Sequence, residues 1–256
     1  MFRRIIALTK NHLYEIFNWP HSLVGRFLNP LLYLLFLGFG IGGMFGNVDY
    51  LGLSIPYVMF LFPGLIGIES TSSFSRSIFS SSSHVKWGIF NLFILSGCST
   101  FEYLISMLII NILIIIIQTG LISLLVIFIG GVNILLKIPG LMLLSCLGIF
   151  IWVPIGIIIG IKIDNYMKRD LVANLATLPL MLSSSAFYNI LEAPVVIKVL
   201  GYLNPLTYHV NLIRDYLLSK GSVISFNLLI IFVLSFILFV LAFIFLKNVK
   251  LVSGER

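Results

Sequence analysis

Nine acidic side chains are all that 256 residues offer for acid–base chemistry. Only one of them, Glu69, falls inside an apolar stretch long enough to enter a bilayer. An ionisable group at that depth is a candidate for an ion path or a substrate contact, with a solvated structural role near the cytoplasmic end of its span as the equal alternative. Arg76, two helical turns on, shares its helix face and is the expected partner. A proton-coupled carrier strings several such acids together; with Glu69 alone, an ion- or proton-coupled transporter stays the alternative reading. His12, His21, His84 and His209 have no metal-ligand spacing, so no metal is expected. Cys98 and Cys146 show no pairing pattern and no disulfide framework is expected. Nowhere does a Gly-x-x-x-x-Gly-Lys-Ser/Thr loop, a His-Glu-x-x-His zinc motif or a Gly-x-Ser-x-Gly elbow occur. The chain therefore reads as non-enzymatic and does not bind ATP in the familiar way.

The elements that carry Glu69 must be membrane helices. The chain is 59% hydrophobic and 10% charged, with mean hydropathy +1.12, whereas a soluble domain carries about 25% charged residues. The formal charge of +7 is spread singly over the ends of apolar runs, which excludes a nucleic-acid patch and fits membrane topology. The expected fold is an all-α membrane protein with six transmembrane helices, an N-terminal amphipathic interfacial helix and a re-entrant external segment before the last span. Spans are expected at about 27–46, 55–76, 103–129, 138–161, 171–188 and 224–246, each near the roughly 20 residues that cross the hydrocarbon core. The fifth is the most polar, with Asn174, Thr177 and Ser183–Ser185. With the start of the chain inside, only Lys137, Lys198, Arg214 and Lys220 of the 16 Lys and Arg residues face outward. That bias puts both termini on the cytoplasmic side, and the expected location is the cell's inner (plasma) membrane. No cleavable signal peptide is expected.

The interruptions between spans are more specific. Residues 1–20 form an amphipathic module, with Phe2, Ile5, Ile6, Leu13, Ile16 and Phe17 on one arc and Arg3, Arg4 and Lys10 on the other. This pattern suits a helix lying in the membrane surface, with Trp19 at the interface and Pro20 as its break. An ordinary cytoplasmic helix packed on another protein is the plainer reading of the same residues. The serine-rich stretch 70–83 is either a close helix-packing face, the preferred reading, or the wetted cytoplasmic end of the second span; a substrate lining is the sharper, less favoured one. Residues 84–100 form a short apolar cytoplasmic helix ending at a small-residue turn, followed by a capping box of Ser99 and Glu102. Apolar groups exposed there need a partner. Residues 189–222 form the external segment, with partly apolar pieces and prolines at 194 and 205. Residues 251–256 are left as a cytoplasmic tail, after a membrane domain spanning 21–250.

Asn204-Pro205-Leu206-Thr207-Tyr208, followed by Arg214, closely resembles the signature before the last span of type-2 ABC transporter permeases, the drug and polysaccharide exporter group. Ser184-Ser185-Ala186-Phe187 and Glu192-Ala193-Pro194 are similar to two further elements of that family, with Ser185 where Gly is usual and Asn189 where Pro is usual. Pro63-Gly64 resembles the pair that opens its second span. Lys86-Trp87-Gly88 through Phe90 and Leu92 to Glu102 resembles its coupling segment, with Gly97 near the usual Pro. The resemblance covers essentially the whole chain. It implies a permease for a hydrophobic or amphipathic substrate (drug, lipid or glycan), paired with a second permease, as a homodimer. Two cytoplasmic ABC ATPase subunits would supply ATP and Mg, and this chain would bind no cofactor. Lys86, Trp87, Gly88, Phe90, Leu92 and Glu102 would then couple to the ATPase. Pro63, Gly64, Glu69, Ser184, Phe187, Asn204, Pro205, Tyr208 and Arg214 would serve translocation or gating.

Overall fold

A computed structural model describes residues 1–18, 20–50, 52–130, 132–163, 165–218 and 224–249. Trp19, residues 219–222 of the external segment with Lys220, and the tail 251–256 lie outside the described residues.

The first helix, α1 (Phe2–Phe17), has three faces rather than two. Ile5, Leu8 and His12 are buried against the rest of the chain. Phe2, Ile6, Leu13 and Phe17 form a second apolar stripe that stays exposed. Arg3, Arg4 and Lys10 lie on the remaining exposed side. One helix thus packs on the rest of its own chain and still leaves an apolar stripe exposed.

Pro20 opens α2 (Pro20–Tyr33). Within it, Pro30 has no N–H to give the carbonyl of Arg26. The next stretch, Leu34–Ile41, winds as a π-helix before α3 (Gly42–Phe45). Then comes a hairpin that departs from the all-α expectation. Strands β1 (Asn47–Tyr50) and β2 (Leu53–Pro56) pair antiparallel, Asn47 opposite Pro56 and Tyr50 opposite Leu53. Gly46 and Gly52 have φ of 67° and 76°, the left-handed region that glycine enters at least cost.

The hairpin corrects the expected start of the second span, because 55 and 56 belong to β2. The helix itself, α4, runs Tyr57–Lys86 over 30 residues, ten past the expected end at 76. At 1.5 Å per residue it is about 45 Å long, against a hydrocarbon core of about 30 Å. Its serines do not end it because their hydroxyls bond back to the helix. Ser70 donates to the Ile66 carbonyl (3.1 Å) and Ser81 to that of Ser77 (2.6 Å).

Past Gly88, α5 (Ile89–Leu95) leads through Gly97 to α6 (Thr100–Gly130). The capping box is formed: the Ser99 N–H donates to Glu102 Oε2 (2.7 Å) and the Glu102 N–H to Ser99 Oγ (3.2 Å). A 3₁₀ turn, Val132–Lys137, precedes α7 (Ile138–Gly160). Asn165 caps α8 (Tyr166–Leu182) through Oδ1, which accepts from the Met167 N–H (2.9 Å). This helix begins five residues before the expected fifth span and ends six before it. Ser184, Ser185 and Phe187 therefore stand in a non-helical bend instead of inside a span. After a 3₁₀ turn, Ile190–Glu192, follow α9 (Val195–Leu203), α10 (Pro205–Leu218) and α11 (Ile224–Lys247).

Among the described residues, Thr100–Ile127, Ile134–Gly160 and Phe226–Lys247 are long and apolar enough to cross a membrane, and Leu28–Met44 is a shorter apolar helix. α4 is buried almost all round, packed on α6, α7, α8 and α10. Its contact with α7 is close because of small residues, as expected for the serine stretch. A Cβ on Gly156 would stand 2.5 Å from the Phe74 carbonyl oxygen, and one on Gly160 would stand 2.1 Å from Ser81 Oγ. Gly156→Val is expected to force these helices apart and cost about 1–3 kcal/mol, read as a lower melting temperature in detergent. Gly43→Val, with nothing within 4 Å of its Cβ position, is expected to leave that temperature unchanged.

Candidate functional site

The residues singled out in the sequence fall at three levels along α4. At its Tyr57 end, Arg214 of α10 is fully buried. Its guanidinium donates from Nε (3.3 Å) and from an Nη (3.2 Å) to the Phe60 carbonyl. The same Nη reaches the Ser185 carbonyl (2.7 Å), and the other Nη reaches Asn211 Oδ1 (3.3 Å). The plane lies 3.8 Å from the Phe60 ring centroid and 5.2 Å from that of Tyr50. A cation thus clamps the bend after α8 to the helix it crosses. Pro63 lies next to this clamp and gives the Met59 carbonyl no helical donor.

Gly64 lets the bend sit directly on α4, since a Cβ there would lie 2.2 Å from the Ala186 carbonyl oxygen. Ser184 Oγ closes the bend by donating to the Met181 carbonyl (2.7 Å) and accepting from the Ala186 N–H (3.2 Å). The Phe187 carbonyl accepts from Tyr57 Oη (3.0 Å). Asn204 ties α8 to α10: Nδ2 donates to the Leu180 carbonyl (2.6 Å) and Ser183 Oγ (3.0 Å), while Oδ1 accepts from the Leu206 N–H (2.9 Å). Pro205 occupies the first turn of α10, where no donor is needed. Tyr208 differs from the rest: its Oη donates to the Tyr202 carbonyl (2.7 Å), tying α10 back to α9, while the residue is half-buried against the core.

Sequence reasoning missed Tyr50, Phe60 and Asn211. Tyr50 Oη donates to Asp215 Oδ1 (3.2 Å), which fixes the hairpin over the clamp. Burial, against the pull of Arg214, pushes the Tyr50 hydroxyl up to about 12.

Midway along α4, a cavity of about 340 Å³ is lined by Asn29, Glu69, Ser72, Arg76, Thr177 and Met181, among others. Glu69 and Arg76 both face it, as the sequence suggested. Gln118 Nε2 donates to Glu69 Oε2 (2.7 Å), and Arg76 Nε donates to Asn111 Oδ1 (3.0 Å). Sequence reasoning also missed Asn111 and Gln118, whose signal is a polar residue within or beside the isoleucine run of α6.

At the Lys86 end, the expected coupling residues divide into two sets. Phe90 is buried against Tyr103, ring centroids 5.1 Å apart, and anchors α5. Trp87, Leu92 and Leu95 are 62%, 62% and 76% exposed. Gly88 joins α4 to α5 with φ 72°. The Lys86 ammonium sits 3.5 Å from the Tyr166 ring centroid, and Trp87 Nε1 donates to Tyr166 Oη (2.6 Å), pinning this corner to α8. Arg4 of α1 donates to the Gly97 carbonyl (2.5 Å).

Beneath that corner, His12 and Glu15 of α1 meet His84 of α4. His84 Nε2 is 2.8 Å from Glu15 Oε1. Partial burial of Glu15 resists ionisation, but the two facing imidazoles outweigh it and hold the carboxyl at about 2. Burial lowers His12. The 69-residue gap between Glu15 and His84 hid this cluster from any spacing rule.

The family described as ABC-2 type transporter matches residues 3–218, from α1 to the end of α10. No curated protein gives a significant match.

Proposed function

The chain belongs to the ABC-2 type transporter family, and we propose that it is the membrane-spanning half of an ATP-driven exporter for a hydrophobic or amphipathic substrate. Members of this family are transport subunits of multi-pass membrane proteins that work with ATPase partners. Six spans are counted here as Leu28–Met44, α4, α6, α7, α8 and α11, with both ends cytoplasmic in the inner membrane and α9–α10 re-entrant on the far side. A second copy of the chain completes the path. Two separate ATPase subunits supply ATP and Mg.

The observation that carries this reading is the corner at the Lys86 end. Trp87, at the end of α4, and Leu92 and Leu95 of α5 turn apolar surface outward while Phe90 fastens α5. Large apolar groups presented together on an anchored helix mark a protein-docking surface. Push on α5 passes to α4 through Gly88 and to α1 through Arg4 and the Gly97 carbonyl.

Purification in mild detergent is expected to bring down a nucleotide-hydrolysing protein in equal number. Leu92→Asp with Leu95→Asp is expected to lose that protein while the melting temperature of the permease stays within a degree or two, since exposed substitutions change stability by only about 0.5 kcal/mol. Transport that survives ATP depletion, with no such protein found, would sink the proposal. Glu69→Gln separates the alternative: a proton-coupled carrier loses transport, whereas an exporter continues when the proton gradient is collapsed.

A further inference from the structure

We propose that His12, Glu15 and His84 form a binding site for a divalent transition-metal ion of the Zn²⁺ class, fastening α1 to the junction of α4 and α6. The inference does not depend on the transport reading.

The hydrogen bonds around the cluster decide which ring atoms are free. Ser106 Oγ gives its only proton to the Tyr103 carbonyl (2.7 Å). That oxygen lies 3.2 Å from His12 Nε2 and, with its proton so placed, accepts there. In this tautomer the His12 proton is on Nε2 and Nδ1 presents the bare lone pair that a metal ligand needs. Nδ1 makes no hydrogen bond, and the residue is 3% exposed. It faces Glu15 Oε2 at 3.7 Å. In that tautomer two acceptors face each other across a half-open gap, an arrangement that a cation between them would satisfy.

The third donor closes the set. His84 Nε2 lies 2.8 Å from Glu15 Oε1, and the candidate ligand atoms of the three residues all fall within 4.8 Å of one another. Tetrahedral Zn²⁺ with bonds of about 2.0–2.1 Å needs ligand atoms roughly 3.4 Å apart. Small side-chain rotations supply that. On binding, the His84 ring carries its proton on Nδ1, 2.9 Å from Tyr103 Oη, which accepts it. Each imidazole then has its second nitrogen held by a hydroxyl, the outer support that orients histidine ligands in metal sites. Two imidazoles and one carboxylate select Zn²⁺, Co²⁺ or Ni²⁺ over Mg²⁺ or Ca²⁺. Glu15 is 41% exposed, so water reaches the fourth position. Phe93 and Tyr103 pack around the two rings.

The test uses the full chain in detergent or nanodiscs with Cys98→Ser and Cys146→Ser, so that thiols contribute nothing. After chelator treatment, Zn²⁺ is added, excess is removed, and metal per chain is measured by mass spectrometry. One Zn²⁺ per chain is expected, and Co²⁺ in its place gives the visible absorption of a tetrahedral site. His12→Gln and His84→Gln are expected to abolish both signals. Tyr103→Phe, which removes only the hydroxyl that orients His84, is expected to weaken binding about tenfold. Should His84→Gln fail to fold, Glu15→Gln on the exposed edge of α1 takes its place. Zn²⁺ uptake unchanged by the histidine substitutions, or no uptake by the folded parent chain, overturns the proposal. The second outcome would leave the gap to a proton.

Discussion

Arg214→Ala is expected to destabilise the protein by at least about 3 kcal/mol, because hydrogen bonds from a charged donor contribute about 1.5–3 kcal/mol each. The change strips the Phe60 and Ser185 carbonyls of their shared donor, with both groups held in a region where Arg214 itself is fully buried. A thermal melt of the purified chain reads the loss. Transport is expected to fall with it, since the bend after α8 would no longer be fixed to α4. Arg214→Lys is expected to recover only part of the stability. An ammonium on a flexible stem cannot span both carbonyls with one planar fork, nor stack on Phe60 as a guanidinium does. If Arg214→Ala melts like the parent, the clamp is not what holds this end of the molecule.

Gly64→Ala is expected to be the next most damaging change at this end of α4. Its new methyl would lie 2.2 Å from the Ala186 carbonyl oxygen and 2.9 Å from the Ala186 Cα. Both are backbone atoms and cannot rotate away, so the bend must lift from α4, at about 1–3 kcal/mol for overpacking. Lifting it also strains the Tyr57–Phe187 and Arg214–Ser185 hydrogen bonds. Loss of transport together with a lower melting temperature is the expected pair of readouts. Gly40→Ala, where nothing lies within 4 Å, is expected to change neither. Equal behaviour of the two variants would mean that the bend does not rest on Gly64.

What the sequence allowed and what it hid follow from the range of the forces involved. α6, α7 and α11 were legible because lipid demands long uninterrupted apolar runs, and windows of that length average out local detail. The hairpin at 47–56 was not, because each strand is four residues long and too short for an alternating pattern to stand out. The true end of α4 was hidden for a different reason. Serines 80–83 look like a polar terminus, yet Ser81 is satisfied by a carbonyl one turn back and packs against Gly160, far along the chain.

The site shows the same division. Arg214, Asn204 and Gly64 stood out as motif residues, but their partners are largely backbone carbonyls, which carry no sequence signal. Phe60 lies 154 positions before Arg214. Phe90 and Leu92 looked equivalent in the sequence, and only packing distinguishes the anchor from the exposed surface. Tyr208 matched a motif, yet its hydroxyl bonds back to α9 instead of joining the Arg214 network.

The unbroken length of α4 has a mechanical consequence. One helix carries the Phe60 carbonyl near its first turn and His84 in its last, so a displacement at one end is carried along the other. The arm of this rod beyond Pro63, about 35 Å long and tilted by about 5°, sweeps its far end through roughly 3 Å. Pro63 stands where such a rod bends most easily, one turn beyond the residue that Arg214 grips. The short arm before it is held still, and the long arm after it, with the Glu69–Arg76 cavity on its flank, is left to swing. A push of a few ångströms at the Trp87 corner would thus arrive at Pro63 as a change of slope, with the cavity walls closest to the pivot moving least.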